Sequence, residues 1–294
     1  MTDENNTNII YRKNKDFPPL LREINDPPEK LFVRGNIEKL FEMSQENSGG
    51  KILCVVGARK YSSYGKSAIE HLISGLKGYN ICIVSGLALG IDSIAHRSAL
   101  SAGLYTVAFP GSGLHPSVLY PPAHARLAEE IVEAGGALLS EFEMKQEGAP
   151  WTFPKRNRLM AGISHATLVV EAEFKSGTLI TSKYATDYNR DVGAIPGQIF
   201  SPLSAGPHML IRLGATPITC VDDLLELLGF ARRNDTADKI TSGQNSLLFG
   251  ANNDNSRFQS LGENEMKIIK LLQIEPQNKD KLIRELNINT KEAN

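Results

Sequence analysis

The chain is poor in the residues that mark several whole classes of protein. Its three cysteines, Cys54, Cys82 and Cys220, are scattered through the 294 residues, which excludes a disulfide framework and leaves no ligand spacing for a metal. Cys54 and Cys82 lie inside apolar runs, and all three are read as small buried hydrophobes of a reducing compartment. The histidines show neither HxxxH nor Cys/His spacing, so no metal is assigned. No apolar run approaches the roughly 20 residues of a membrane span. The polar opening MTDENNTN has no signal-peptide pattern, so a cytoplasmic protein without membrane contact is expected. Charge of one sign is missing too: with a net charge of −1, affinity for nucleic acid must come from a local patch. GxGxxG, GxxxxGK[ST] and GxSxG are all absent, which weighs against a dinucleotide site, a P-loop NTPase and a hydrolase elbow.

What is present is organised around Ile81 to His96, ICIVSGLALGIDSIAH. Ile81 to Val84 reads as a short buried strand, Ser85-Gly86 breaks it, and Ile91 to Ala102 reads as a helix with one apolar face. Similar units precede and follow it. Ile52–Val56 runs into Gly57-Ala58-Arg59, Thr106–Phe109 into the Gly111–Gly113 turn, Ala166–Val170 into Glu171, and Val192–Ile195 into Pro196-Gly197. Strands alternating with helices, several of them apolar on both sides, predict a mostly parallel α/β sheet covered on both faces. In such a sheet the turns after the strands share one edge. Arg59, Ser85-Gly86, the Gly111–Gly113 turn, Glu141, Glu171 and Pro196-Gly197 are therefore expected to ring one crevice. Residues 1–50 form a small lead-in, 51–230 the main domain, 231–260 a polar linker and 261–294 two short amphipathic helices.

Three groups of residues carry the candidate chemistry. In Trp151–Arg158, WTFPKRNR, the cations Lys155, Arg156 and Arg158 follow two aromatics with no acid between them. This interleaving suits the phosphates and unstacked bases of single-stranded nucleic acid; the plainer reading is a solvated basic loop before a helix, its aromatics anchored in the core, and a place beside the crevice favours the first. Gly57-Ala58-Arg59 and Ser176-Gly177-Thr178 are small-residue turns whose N–H groups, hydroxyls and guanidinium suit phosphate, or else serve as helix caps. Asp92 and His96 stand four apart on one helix. Acid–base work is one reading; the plainer one, an acid stabilised near a helix N-terminus beside a structural histidine, is preferred.

Taken in order, VVGARKYSSYG, IVSGLALGIDSIAH, FPGSGL, LLSEF, FPKRNRLMAGIS, VVEAEFKSGTLITSKYA and AIPG resemble the DprA/Smf family of DNA-processing proteins, over roughly residues 11 to 229. The resemblance implies an extended Rossmann-like domain that binds single-stranded DNA as a homodimer and loads the RecA recombinase in natural transformation. It implies neither enzymatic activity nor a cofactor. It places the DNA pocket on Arg59, Lys155, Arg156 and Arg158, lined by Phe153, Ser85, Gly86, Gly113, Ser176 and Thr178. Gly57, Asp92, His96, Asn157 and Glu171 stand in support. Two positions depart from the family pattern: Leu89 replaces a usual cation, and Pro122 a usual polar residue. The last two helices resemble the start of a winged helix. Two alternatives stay open: a nucleotide phosphoribohydrolase-like enzyme using Glu171, and a nucleotide or nucleic-acid sensor in a defence or mobile-element system.

Overall fold

In the computed structural model, which describes residues 7–231, all the described strands join in one nine-stranded sheet. Its central part is parallel. β3 (Lys51–Val56) pairs with β4 (Ile81–Ser85) on one side and with β7 (Ala166–Val169) on the other. From β4 the sheet continues through β5 (Tyr105–Ala108) to β6 (Ala137–Ser140), and from β7 through β8 (Asp191–Ala194) to β9 (Thr216–Pro217). The chain thus leaves β3 in one direction and returns past it to build the other half. The point where the connections diverge lies at the C-terminal ends of β3 and β7, where α/β sheets characteristically open a crevice. The Rossmann-like α/β expectation matches this arrangement.

The lead-in is part of the same sheet. β1 (Thr7–Tyr11) pairs antiparallel with β2 (Lys30–Gly35), and β2 pairs antiparallel with β6. β1 was not expected, because its half-polar TNIIY has no second buried face; only pairing along β2 defines it.

Alternation along the central strands builds two cores. Ile52, Cys54 and Val56 of β3 and Cys82 and Val84 of β4 face one side, with α6 (Thr152–Ile163) over them. Leu53, Val55, Ile81 and Ile83 face the other, under α3 (Ser63–Gly75) and α4 (Ile91–Ser101). The buried Cys54 and Cys82 are the expected small hydrophobes, whereas Cys220 is exposed at the start of the helix Val221–Leu227. Among the described residues no helix is long and apolar enough to cross a membrane, and no group of three or more metal-ligating side chains comes together. The two amphipathic helices expected after residue 261 lie outside the described residues.

One glycine fixes how the first two turns meet. Gly90 precedes α4 with φ 84°, and a Cβ built there would stand 2.3 Å from the Ala58 carbonyl oxygen and 2.5 Å from that of Arg59. Only a residue without a side chain lets the turn that carries Arg59 lie on the helix end. Gly90→Ala is therefore expected to lower unfolding stability by about 1–3 kcal/mol, measured by urea denaturation. An unchanged midpoint would contradict this close approach.

Candidate nucleic-acid interface

A crevice of about 480 Å³ opens above the ends of β3, β4 and β7. Gly57, Ala58, Arg59 and Lys60 line it from the β3 turn, Ala88 from the β4 turn, and Glu173 to Thr178 from the β7 turn with Phe174 left out. The helix α6 contributes Phe153, Arg156, Asn157 and Met160. Arg59, Lys60 and Lys175 are exposed, and none of them forms an ion pair among the described residues. The Arg59 guanidinium lies 5.4 Å from the centre of the Phe153 ring, which in turn stands 5.4 Å from the Tyr120 ring. A cation held over an aromatic face leaves its N–H groups directed to other acceptors.

The third wall is a helix start. Before α7 (Thr178–Asp187), the Ser176 hydroxyl accepts from the Thr178 N–H at 3.2 Å and donates to Thr178 Oγ1, which donates to the Gly57 carbonyl at 3.2 Å. This small network ties the β7 turn to the β3 turn. It also sets the positive end of a helix towards the crevice.

The sequence reading expected the three cations of Lys155 to Arg158 to converge with Arg59, and the side chains do otherwise. The stretch is not a loop: α6 starts at Thr152, and Pro154 falls in its first turn, where a missing N–H is tolerated. At 3.6 residues per turn, Arg156 and Arg158 point about 160° apart. Arg156 is buried beneath the crevice. It donates to the carbonyls of Gly86, at 2.6 Å, and Phe109, and through Nε to Asn157 at 3.0 Å. It therefore locks the turns after β4 and β5 together, and burial lowers its pKa to about 10 although the Asp92 carboxylate draws it back up.

Arg158 is buried away from the crevice. It pairs with the Glu141 carboxylate and donates to the Asp26 carbonyl at 2.5 Å, with the Asp26 carboxylate 3.4 Å away. Lys155 is exposed beside the same Glu141, at 3.7 Å. Glu141, expected at the crevice, thus serves this separate charge cluster, where burial raises its pKa against the pull of Arg158.

Several other expected site residues hold the frame, and of these only Asp92 borders the crevice. Ser85 is fully buried and donates to the Val55 carbonyl at 2.6 Å. Gly86 is covered by Arg156, whose Nη1 would be 2.5 Å from a Cβ there. Gly113 is packed on the Glu143 and Met144 carbonyls, and its N–H donates to Gln146 at 2.8 Å. Glu171 accepts from both the N–H and the hydroxyl of Ser62, at 3.0 and 2.5 Å, so it anchors the start of α3. Asp92 and His96 do not form a pair. The Asp92 carboxylate accepts from the Gly86 N–H at 3.1 Å, with its pKa raised by burial and partly restored by Arg156. His96 Nδ1 meets the Thr106 hydroxyl at 2.8 Å.

The buried His96 gives the fold an acid limit. Burial lowers its pKa from 6.5 to about 3, so below pH 6.5 the unfolded chain takes up a proton that the native state refuses. Its contribution is intact above that pH and is lost at about 1.4 kcal/mol per pH unit as pH falls towards the native value. Urea titrations should show His96→Asn with a slope shallower by about that amount between roughly pH 6 and 4; equal slopes would show that the native state admits the proton.

Two lining cations, Lys60 and Lys175, were not singled out by sequence reasoning. Each was visible as the neighbour of a motif that was: Lys60 follows Arg59, and Lys175 precedes Ser176-Gly177. Comparison with known proteins bears on the same region. The model of the family described as DNA recombination-mediator protein A matches residues 8–229. Protein Smf of Escherichia coli (strain K12) is 39% identical over 228 residues, which are 78% of this chain and 58% of that protein. The DNA processing protein DprA of Streptococcus pneumoniae is 40% identical over 209 residues, 71% and 70% of the two chains. The chain therefore spans little more than half the length of the first of these relatives. An X-ray structure of the S. pneumoniae DNA processing protein A superposes with a TM-score of 0.69 at 37% identity, covering 77% of this chain and 76% of that one. A structure of DNA processing protein A from Helicobacter pylori, solved for its single-stranded DNA binding mode, gives 0.65 at 26% identity over 76% and 95%.

Proposed function

The chain belongs to the DNA recombination-mediator protein A family, and from that premise we propose that it binds single-stranded DNA in the crevice above β3, β4 and β7. One observation carries the reading: three exposed cations that form no ion pair among the described residues line a crevice that also holds the Phe153 ring. Arg59 takes phosphate with its N–H groups while its charge stays over the Phe153 ring. Lys60 and Lys175 neutralise neighbouring phosphates, and the positive end of α7 adds to the field that draws them in. A lone strand can turn a base towards Phe153, which a duplex cannot without unstacking, so the site favours single strands. Arg156 and Asn157 hold the frame under the bound strand.

The protein acts as a binding module, protecting DNA in transformation and recombination and handing it to the RecA recombinase as a homodimer in the cytoplasm. The family's description as a recombination mediator supports the recombinase as partner. No observation favours a base-releasing enzyme, since Glu171 is engaged at the start of α3 and does not line the crevice.

Titrating labelled oligo-dT, single against double stranded, at two salt concentrations tests the reading. Tighter binding of the single strand is expected, weakening with salt by about 0.7 per neutralised phosphate on a log–log plot. Equal affinity for the duplex, or no salt dependence, would overturn it.

A further inference from the structure

Three of the most exposed large apolar residues among those described sit on two loops beside the crevice. Phe174, 67% exposed, stands between the lining residues Glu173 and Lys175. Ile199 and Phe200, 79% and 92% exposed, follow β8. The two loops are bound to each other: the Ala172 N–H donates to the Leu203 carbonyl at 2.8 Å, the Gly206 N–H to the Ala172 carbonyl at 2.8 Å, and Leu203 itself lines the crevice. The β8 loop is also tied to the first turn of α3, where the Tyr64 hydroxyl donates to the Pro196 carbonyl at 2.6 Å. Phe174 is therefore held beside Lys175 on a braced loop, Phe200 is carried by the loop bound to it, and neither ring is among the buried core residues.

We propose that Phe174 and Phe200 form a second base-stacking subsite, which takes the unpaired nucleotides of a strand as it leaves the crevice past Lys175. The inference rests on the crevice binding single-stranded DNA, and it extends that site outward across the β7 and β8 loops. Exposed phenyl rings lose water when a base stacks on them and need no particular base, because every base has a π face. The adjoining lysine supplies the charge that keeps the phosphate of the same nucleotide close. A protein partner is the other class of occupant for exposed apolar residues, but continuity with a cationic crevice favours the polynucleotide.

Length dependence separates this subsite from the crevice. Affinities of the full chain and of the Phe174→Ala/Phe200→Ala double variant would be measured for oligo-dT of about four and about sixteen nucleotides, the span of strand that one binding fold covers. The variant is expected to bind the long oligonucleotide roughly five-fold or more weakly and the short one unchanged. Its salt slope should stay the same, because stacking neutralises no phosphate, and Phe200→Tyr should restore affinity. Equal affinities at both lengths would overturn the subsite, and so would an equal loss at both lengths, which would place the rings inside the crevice site. Unchanged DNA binding with altered self-association in sedimentation would reassign the face to protein contact. If the unmodified chain binds neither oligonucleotide, the crevice reading itself falls.

Discussion

Arg158→Ala is expected to lose about 3–5 kcal/mol of unfolding free energy, because removing one partner of a buried ion pair leaves the other charge uncompensated. Arg158 and Glu141 are both buried, and the guanidinium also holds the Asp26 carbonyl of the lead-in. At a temperature where the variant is folded, its affinity for oligo-dT should stay within about two-fold of the parent, since the side chain lies outside the crevice. Replacing both partners by apolar residues, Arg158→Met with Glu141→Leu, should recover most of the loss. Urea denaturation and a DNA titration on the same samples check both halves. A stable variant with weakened binding would return Arg158 to the DNA site.

Arg59→Ala is expected to do the reverse. The side chain is exposed and forms no ion pair among the described residues, so stability should move by no more than about 0.5 kcal/mol. Loss of a charge-assisted contact to phosphate, about 1.5–3 kcal/mol, weakens single-strand affinity about 10- to 100-fold. The log–log salt slope should become shallower by about 0.7. Lys60→Ala and Lys175→Ala should flatten it similarly with smaller losses, because a lysine is a point charge without the planar, bidentate fork of an arginine. An Arg59→Ala variant that binds as the parent does would remove the crevice from the account.

The contrast between these two arginines shows what a linear reading can carry. The order of strands and turns was legible because each strand is a short apolar run closed by small residues, and parallel connection then places the turns on one edge. Arg59 followed from that topology alone. The direction of a side chain on α6 did not follow, since it depends on where the helix begins. Read as a loop before a helix, the stretch leaves Lys155, Arg156 and Arg158 free to converge, whereas a helix starting at Thr152 winds them apart. Burial was equally invisible: Glu141 and Asp26 come from segments 115 residues apart in sequence, and the pairing of β2 with β6 and the packing of Leu21 and Ile24 on α6 bring those regions together. Ser85 and Gly113 illustrate the same limit in small residues, since a serine or glycine after a strand reads alike whether it faces a ligand or a neighbouring carbonyl.

The most direct test of the crevice is to photo-crosslink oligo-dT carrying 5-iodouracil to the protein and identify the attached residues by mass spectrometry. Attachment at Phe153 or Tyr120, abolished by excess unlabelled single strand and retained in excess duplex, is the predicted result. Attachment confined to Trp151 or Phe142, beside Lys155 and the buried Arg158–Glu141 pair, would contradict it.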